Sequence, residues 1–255
     1  IPTGDVDGYV ELIFSSQNNY LEELKKMSAD CDNAIIFAFF NNTEEVVDHL
    51  YNIDKYDYIL RHVLIDKADR VAVNEINNLI GYEKVQLNKS IQESLFGYNG
   101  NVTWVFNGKE VVVKSQRDFN RLLSKVCNEV YSLTPVMNNE LFNKNKLSGT
   151  ISGAKAKYLQ ALVNSSDQVD LGFDSEKFPP EKTIYYSLLK NTGLHVDGHF
   201  ADKPANEGFM SLWNACEEFL HTTATKPRKI SELIKKLSAQ PYKLKAGFLD
   251  FWIPT

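Results

Sequence analysis

A chain of 255 residues and 29.0 kDa has room for one large domain or two small ones, and enough length for a sizeable core. Hydrophobic residues make up 43% and charged residues 24%, the balance of a globular protein. No apolar run reaches the roughly 18 residues that a bilayer span requires, so no membrane partner is expected. Cys31, Cys127 and Cys216 lie too far apart for a disulfide framework or a CxxC metal site, and that usage fits a reducing, cytoplasmic setting. The chain opens Ile1-Pro-Thr3 without Met and stops within an apolar run, so a piece of a longer polypeptide is expected.

The net charge of −5 is unevenly spread. Residues 1–98 carry 17 Asp/Glu against 8 Lys/Arg, whereas residues 99–255 carry 16 against 20. An acidic half joined to a mildly basic half suggests two modules, although two solvated surfaces give the same count.

In chain order, Tyr9-Val-Glu-Leu-Ile-Phe14 reads as a strand. Tyr20, Leu21, Leu24 and Met27 recur at helical spacing, and Asn33-Ala-Ile-Ile-Phe-Ala-Phe-Phe40 has the continuous apolar character of a strand buried on both faces. Strand, helix and strand within about 30 residues is the size of a βαβ crossover. Asn42 or Thr43 then caps a helix with Glu44 and Glu45 in its first turn. Val73, Ile76, Ile80, Leu87, Ile91 and Leu95 mark a second, longer helix by steps of three, four and seven.

Val102-Thr-Trp-Val-Phe106, Asn107-Gly108 and Lys109-Glu-Val-Val-Val113 form a hairpin signal, because both turn positions of a type I′ turn need positive φ. The domain boundary is placed here, giving an acidic α/β unit over 1–98 and a hairpin plus mainly helical unit over 99–255. Ser115 and Asp118 resemble a capping box for a helix burying Phe119, Leu122, Leu123, Val126, Cys127 and Val130. Short helices are expected over 137–145, 151–164 and 184–191, the last closed by Gly193. Two further helices bury Phe209, Leu212, Trp213, Cys216, Phe219 and Leu220, and then Ile230, Leu233, Ile234 and Leu237.

The motifs that carry chemistry are missing from this sequence. Neither GxxxxGK[ST] nor GxGxxG occurs, so no glycine loop offers a row of N–H groups to phosphates, and no ATP hydrolysis is expected. His195-Val-Asp-Gly-His199 offers two imidazoles and a carboxylate, but without a partner cluster it reads as a polar loop rather than a metal site. No catalytic residue, metal ligand or cofactor is therefore assigned. The candidate contact residues are cations. Arg117, Arg121 and Lys125 fall at i, i+4 and i+8, with Lys114 before them and Lys144, Lys146, Lys155 and Lys157 after. Such a row can follow a phosphate backbone, or it can be a solvated helix face. Lys226, Arg228, Lys229, Lys235, Lys236, Lys243 and Lys245 form a looser second set.

The run Leu122-Leu-Ser-Lys-Val-Cys-Asn-Glu-Val-Tyr-Ser-Leu-Thr-Pro-Val-Met-Asn-Asn-Glu-Leu-Phe-Asn-Lys144 resembles a segment of the very large P-loop ATPases of BREX bacteriophage-exclusion systems. Ala154-Lys-Ala-Lys-Tyr-Leu-Gln-Ala-Leu162, Leu171-Gly-Phe173, Pro180-Glu-Lys-Thr-Ile-Tyr-Tyr-Ser-Leu-Leu189, Thr192-Gly-Leu194 and Leu237-Ser-Ala-Gln-Pro-Tyr-Lys-Leu-Lys-Ala-Gly247 follow in a similar order. Gln240-Pro241 stands where that family has Pro-Pro, and Lys243 where it often has Gly. The resemblance implies an internal region after the ATPase module, with an α/β part followed by a mainly helical part, for which a winged helix is one form. ATP and Mg would then belong to the parent protein alone. The implied duty is a non-catalytic interaction and scaffold role toward other defence subunits or its own ATPase. The alternatives are a nucleic-acid-binding module touching DNA through the basic helices, and a stand-alone enzyme with a divergent site.

Overall fold

The structure, a computed structural model, describes residues 6–15, 19–63, 69–97 and 100–255. The chain divides into two compact units, Ile1–Cys127 and Asn128–Thr255.

The first unit is built on a four-stranded mixed sheet in the order β1-β2-β3-β4. Strand β1 (Tyr9–Phe14) and β2 (Ile35–Phe40) run parallel, Tyr9 opposite Ile35, joined through helix α1 (Tyr20–Ala29). The apolar run of β2 takes the central place because both its faces are covered: α1 packs Leu24 on Phe37 and Phe39, with Val105. On the opposite face Trp104 stacks with Phe96 and meets Phe119 at 5.1 Å. Strands β3 (Val102–Phe106) and β4 (Lys109–Val111) form the expected hairpin, with Asn107 at φ 48° and Gly108 at φ 71°. A Cβ on Gly108 would lie 2.9 Å from that of Ala29. β3 pairs antiparallel with β2, Ala38 opposite Trp104.

That pairing moves the boundary. The hairpin completes the sheet of the residues before it, so the division falls at 127/128 and not at 98/99. The hairpin of the mainly helical unit is a different one, β5–β6 below.

Between β2 and β3 lie α2 (Glu44–Tyr58), extended by a π-helical turn over Ile59–Val63, and α3 (Arg70–Phe96). The Asn41 N–H donates to the Asn101 carbonyl, so α2 starts and α3 ends at the same place and the two helices run antiparallel. Half-buried Val73, Ile76, Ile80, Glu83 and Leu87, then buried Ser90, mark the seam of α3 at alternating steps of three and four. Residues 98 and 99, between α3 and β3, lie outside the described residues.

Helix α4 (Gln116–Val130) starts as expected: Ser115 Oγ accepts from the Asp118 N–H at 3.2 Å, and Asp118 Oδ2 accepts from the Lys114 N–H at 3.3 Å.

The second unit comprises α5 (Gly149–Asn164), α6 (Pro180–Tyr185) with a π-helical turn over Tyr186–Lys190, the hairpin β5 (His195–Val196) and β6 (His199–Phe200), α7 (Met210–Thr223), α8 (Ile230–Ser238) and α9 (Ala246–Trp252). Its core joins all of these helices, with Phe142, Tyr158, Ile184, Leu188, Leu212, Leu237 and Phe251 fully buried. The helix expected over 137–145 is absent. Asn139 is buried there, its Oδ1 accepts from the Leu141 N–H, and its amide donates to Ser187 Oγ at 2.8 Å. A short polar side chain bonding its own backbone competes with the helical ladder, and here it wins.

Candidate functional site

The structure divides the eight candidate cations between the two units. Lys114, Arg117, Arg121 and Lys125 belong to the first unit, and all four are exposed. The amphipathic pattern of α4 explains this, since Leu122 and Val126 take the buried positions. Arg121 lies 3.7 Å from Asp118 on the same helix.

The other four belong to the second unit, where two are already engaged. Lys155 Nζ sits 2.6 Å from Asp250, and Lys157 Nζ sits 3.4 Å from Glu181. These pairs tie α5 to α9 and to α6 and reduce the positive field on offer. Lys144 is half-buried in the irregular segment before α5, where its carbonyl accepts from the Gly247 N–H at 2.8 Å. Lys146 is exposed beside it. In the looser basic set, Arg228 pairs with Glu232 at 2.6 Å and Lys236 with Glu218 at 3.0 Å.

His195 and His199 do not converge on a shared ligand position. His195 is buried, with Nδ1 2.9 Å from the Tyr185 hydroxyl and Nε2 2.9 Å from the Ser166 carbonyl, while His199 is exposed on β6. The carbonyl can only accept, so Nε2 carries a proton and donates to it. Asp197 at φ 50° and Gly198 at φ 79° make the connection a hairpin turn. The Asp-Gly pair is the signal for it, as Asn-Gly is in the first unit, and the loop reading passed over it. Among the described residues no group of three or more His, Cys, Asp or Glu could hold a metal ion.

The His195 contact opens into a polar cluster that sequence reasoning missed. Asp170 accepts from Lys190 Nζ at 2.6 Å and from the Tyr186 hydroxyl at 2.9 Å, with the Tyr185 hydroxyl at 3.4 Å. Burial raises the Asp170 pKa, but the Lys190 and Tyr186 hydrogen bonds outweigh it and hold the carboxyl below its ordinary range. Burial, and then the nearby Asp170 charge, push the Tyr185 phenol up. Asp170 sits at φ 53°, and nothing in the sequence marks it. Lys182 is buried too, donating to the Asp174 carbonyl at 2.6 Å and lying 4.3 Å from the Phe178 ring centre. Both groups fasten loops to α6.

A second missed feature is an apolar groove of about 450 Å³ in the second unit. Trp213, Cys216 and Leu220 of α7, Ile230 and Leu233 of α8, and Trp252 of α9 line it. Burial pushes the Cys216 thiol up, which makes it a poor nucleophile at neutral pH.

Comparison with protein-family models, with curated proteins and with solved structures finds no match to the chain. The site is therefore read from its own geometry. Among the described residues, no helix is long and apolar enough to cross a membrane.

Proposed function

We propose that this chain is a non-catalytic interaction and scaffold region of a large bacterial antiphage-defence ATPase of the BREX type. One observation carries the reading: the segments that resemble that family meet one another in the second unit. The Leu133 N–H donates to the Pro241 carbonyl, and the Thr134 hydroxyl donates to that of Tyr242. A Cβ on Gly247 would strike the carbonyls of Lys144 and Phe142, so the Gly247 position demands its residue type. Asn139, Lys182 and Thr192, polar members of the same segments, are buried and bonded internally. Residues used this way build a platform. With no phosphate loop in the sequence, the parent protein would supply ATP and Mg chemistry from another module.

Calorimetry on residues 1–255 is expected to show no stoichiometric heat of ATP binding, and a clear saturable heat would overturn the non-catalytic part. The flanking gene sequence tests the rest. A GxxxxGK[ST] loop upstream supports the assignment, and an intact short gene with its own start codon removes it.

The second reading, contact with DNA, is favoured by the exposure of Arg117, Arg121 and Lys125 on one helix. Spaced over eight residues, they span about 12 Å, enough for two or three phosphates. Each phosphate neutralised contributes about −0.9 to the slope of log K against log salt. Converting all three to Glu is then expected to weaken duplex binding and flatten that slope by about two to three. Fluorescence anisotropy across a salt series reads both effects. No binding at low salt, or a triple variant that behaves like the wild type, removes this reading and leaves the scaffold.

A further inference from the structure

We infer that the groove between α7 and α8 is a docking site for an amphipathic partner helix whose acidic flank lies toward α8. This inference rests on the groove alone and is independent of the family reading.

The floor is apolar and aromatic, with Trp213, Leu233 and Trp252 among its lining. Its mouth is apolar as well, which a site for a small enclosed ligand does not require. Phe200 is 50% exposed, Leu220 63% and Ile230 48%. All three line the groove, so its apolar surface continues from the floor out to solvent. A helix laid along α7 and α8 would cover these residues with a stripe at i, i+3, i+4 and i+7, the usual helix-in-groove arrangement.

Charge selects and orients the occupant. Two of the local cations are already neutralised, Arg228 by Glu232 and Lys236 by Glu218. Lys229 directly precedes Ile230 at the mouth and Lys226 lies three residues earlier, both exposed, so Lys226, Arg228 and Lys229 outnumber Glu232 and leave the start of α8 positive. On the opposite wall Glu217 is a carboxylate of the lining. An acidic flank is therefore attracted on the α8 side and repelled on the α7 side, so carboxylates on one edge of the partner helix set its orientation.

The probe is a fluorescein-labelled amphipathic peptide of about 18 residues, with Leu at i, i+3, i+4 and i+7 and Glu on one polar edge. A control carries Lys for Glu. Titrated with the full chain at low salt, the Glu peptide is expected to bind about tenfold more tightly than the Lys peptide and to alter Trp213 and Trp252 emission. The Leu220→Asp and Ile230→Asp variants, at exposed positions that keep the fold, are expected to lose binding with an unchanged melting temperature. The Lys226→Glu/Lys229→Glu variant is expected to lose the preference for Glu while retaining residual apolar binding. Equal or tighter binding of the Lys peptide overturns the inference. So does binding that survives Leu220→Asp, uptake of a small apolar dye without uptake of the peptide, or self-association of the chain abolished by Leu220→Asp.

Discussion

The two units solve the same packing problem differently. In the first, a small sheet core carries a helical pair that buries little: α2 runs 15 residues with Val46 buried, and α3 runs 27 with Ser90 buried. In the second, every helix contributes to one core, and aromatic rings meet at its centre, Phe142 lying 5.0 Å from Phe251 and Phe209 5.6 Å from Trp252. The helical pair is held instead by its seam and by His49 and Asn52 of α2, both bonded to Glu83 of α3 at 2.7 and 3.3 Å. Burial concentrated in one core makes the second unit sensitive to single changes. Burial spread thinly along a seam makes the helical pair tolerant of them.

The largest expected effect tests that contrast directly. Phe251→Ala, at a fully buried position, is expected to cost about 3–5 kcal/mol, the range for emptying an aromatic site in a packed core. Ile80→Ala, half-buried in the α3 seam, is expected to cost about 1 kcal/mol. Urea unfolding followed by hydrogen exchange places each loss in its unit, and equal costs would break the comparison.

A smaller effect sharpens it at the polar level. The Asp170 carboxyl is held below its ordinary range in the folded chain. Its stabilising contribution is therefore complete above the unfolded carboxylate pKa, about 4, and is lost as pH falls through the lower folded value. Melting temperatures between pH 7 and pH 3 are expected to fall less steeply in Asp170→Asn than in the wild type. Identical slopes would show that the cluster adds nothing to the second unit.

Local features of this fold were legible in the sequence because local chemistry decides them. The βαβ pattern, the Asn107-Gly108 turn and the Ser115–Asp118 cap each depend on a few neighbouring residues. The sheet partner of the hairpin was not legible, since β3 finds β2 some 60 residues back and no propensity records that choice. The helix over 137–145 failed for a related reason: its periodic apolar residues are present, but the partners of Asn139 lie on α6 and the turn after it. The candidate cations show the same limit. Their spacing on α4 could be read directly, whereas Asp250 and Glu181, which engage Lys155 and Lys157, lie 95 and 24 residues further along.

The hydrogen bond from Asn41 to Asn101 carries one more consequence. It closes the base of everything between β2 and β3, and the Thr103 hydroxyl donates to Asn41 Oδ1 across the same junction. Strands so joined need only a tight turn between them, so the intervening helices behave as an insertion whose length the sheet does not dictate. Removing one heptad from each helix in register would shorten the arm by about 10 Å, at 1.5 Å per residue, and leave every strand in place. The sheet thus sets where the helical pair begins, and the number of turns sets its length.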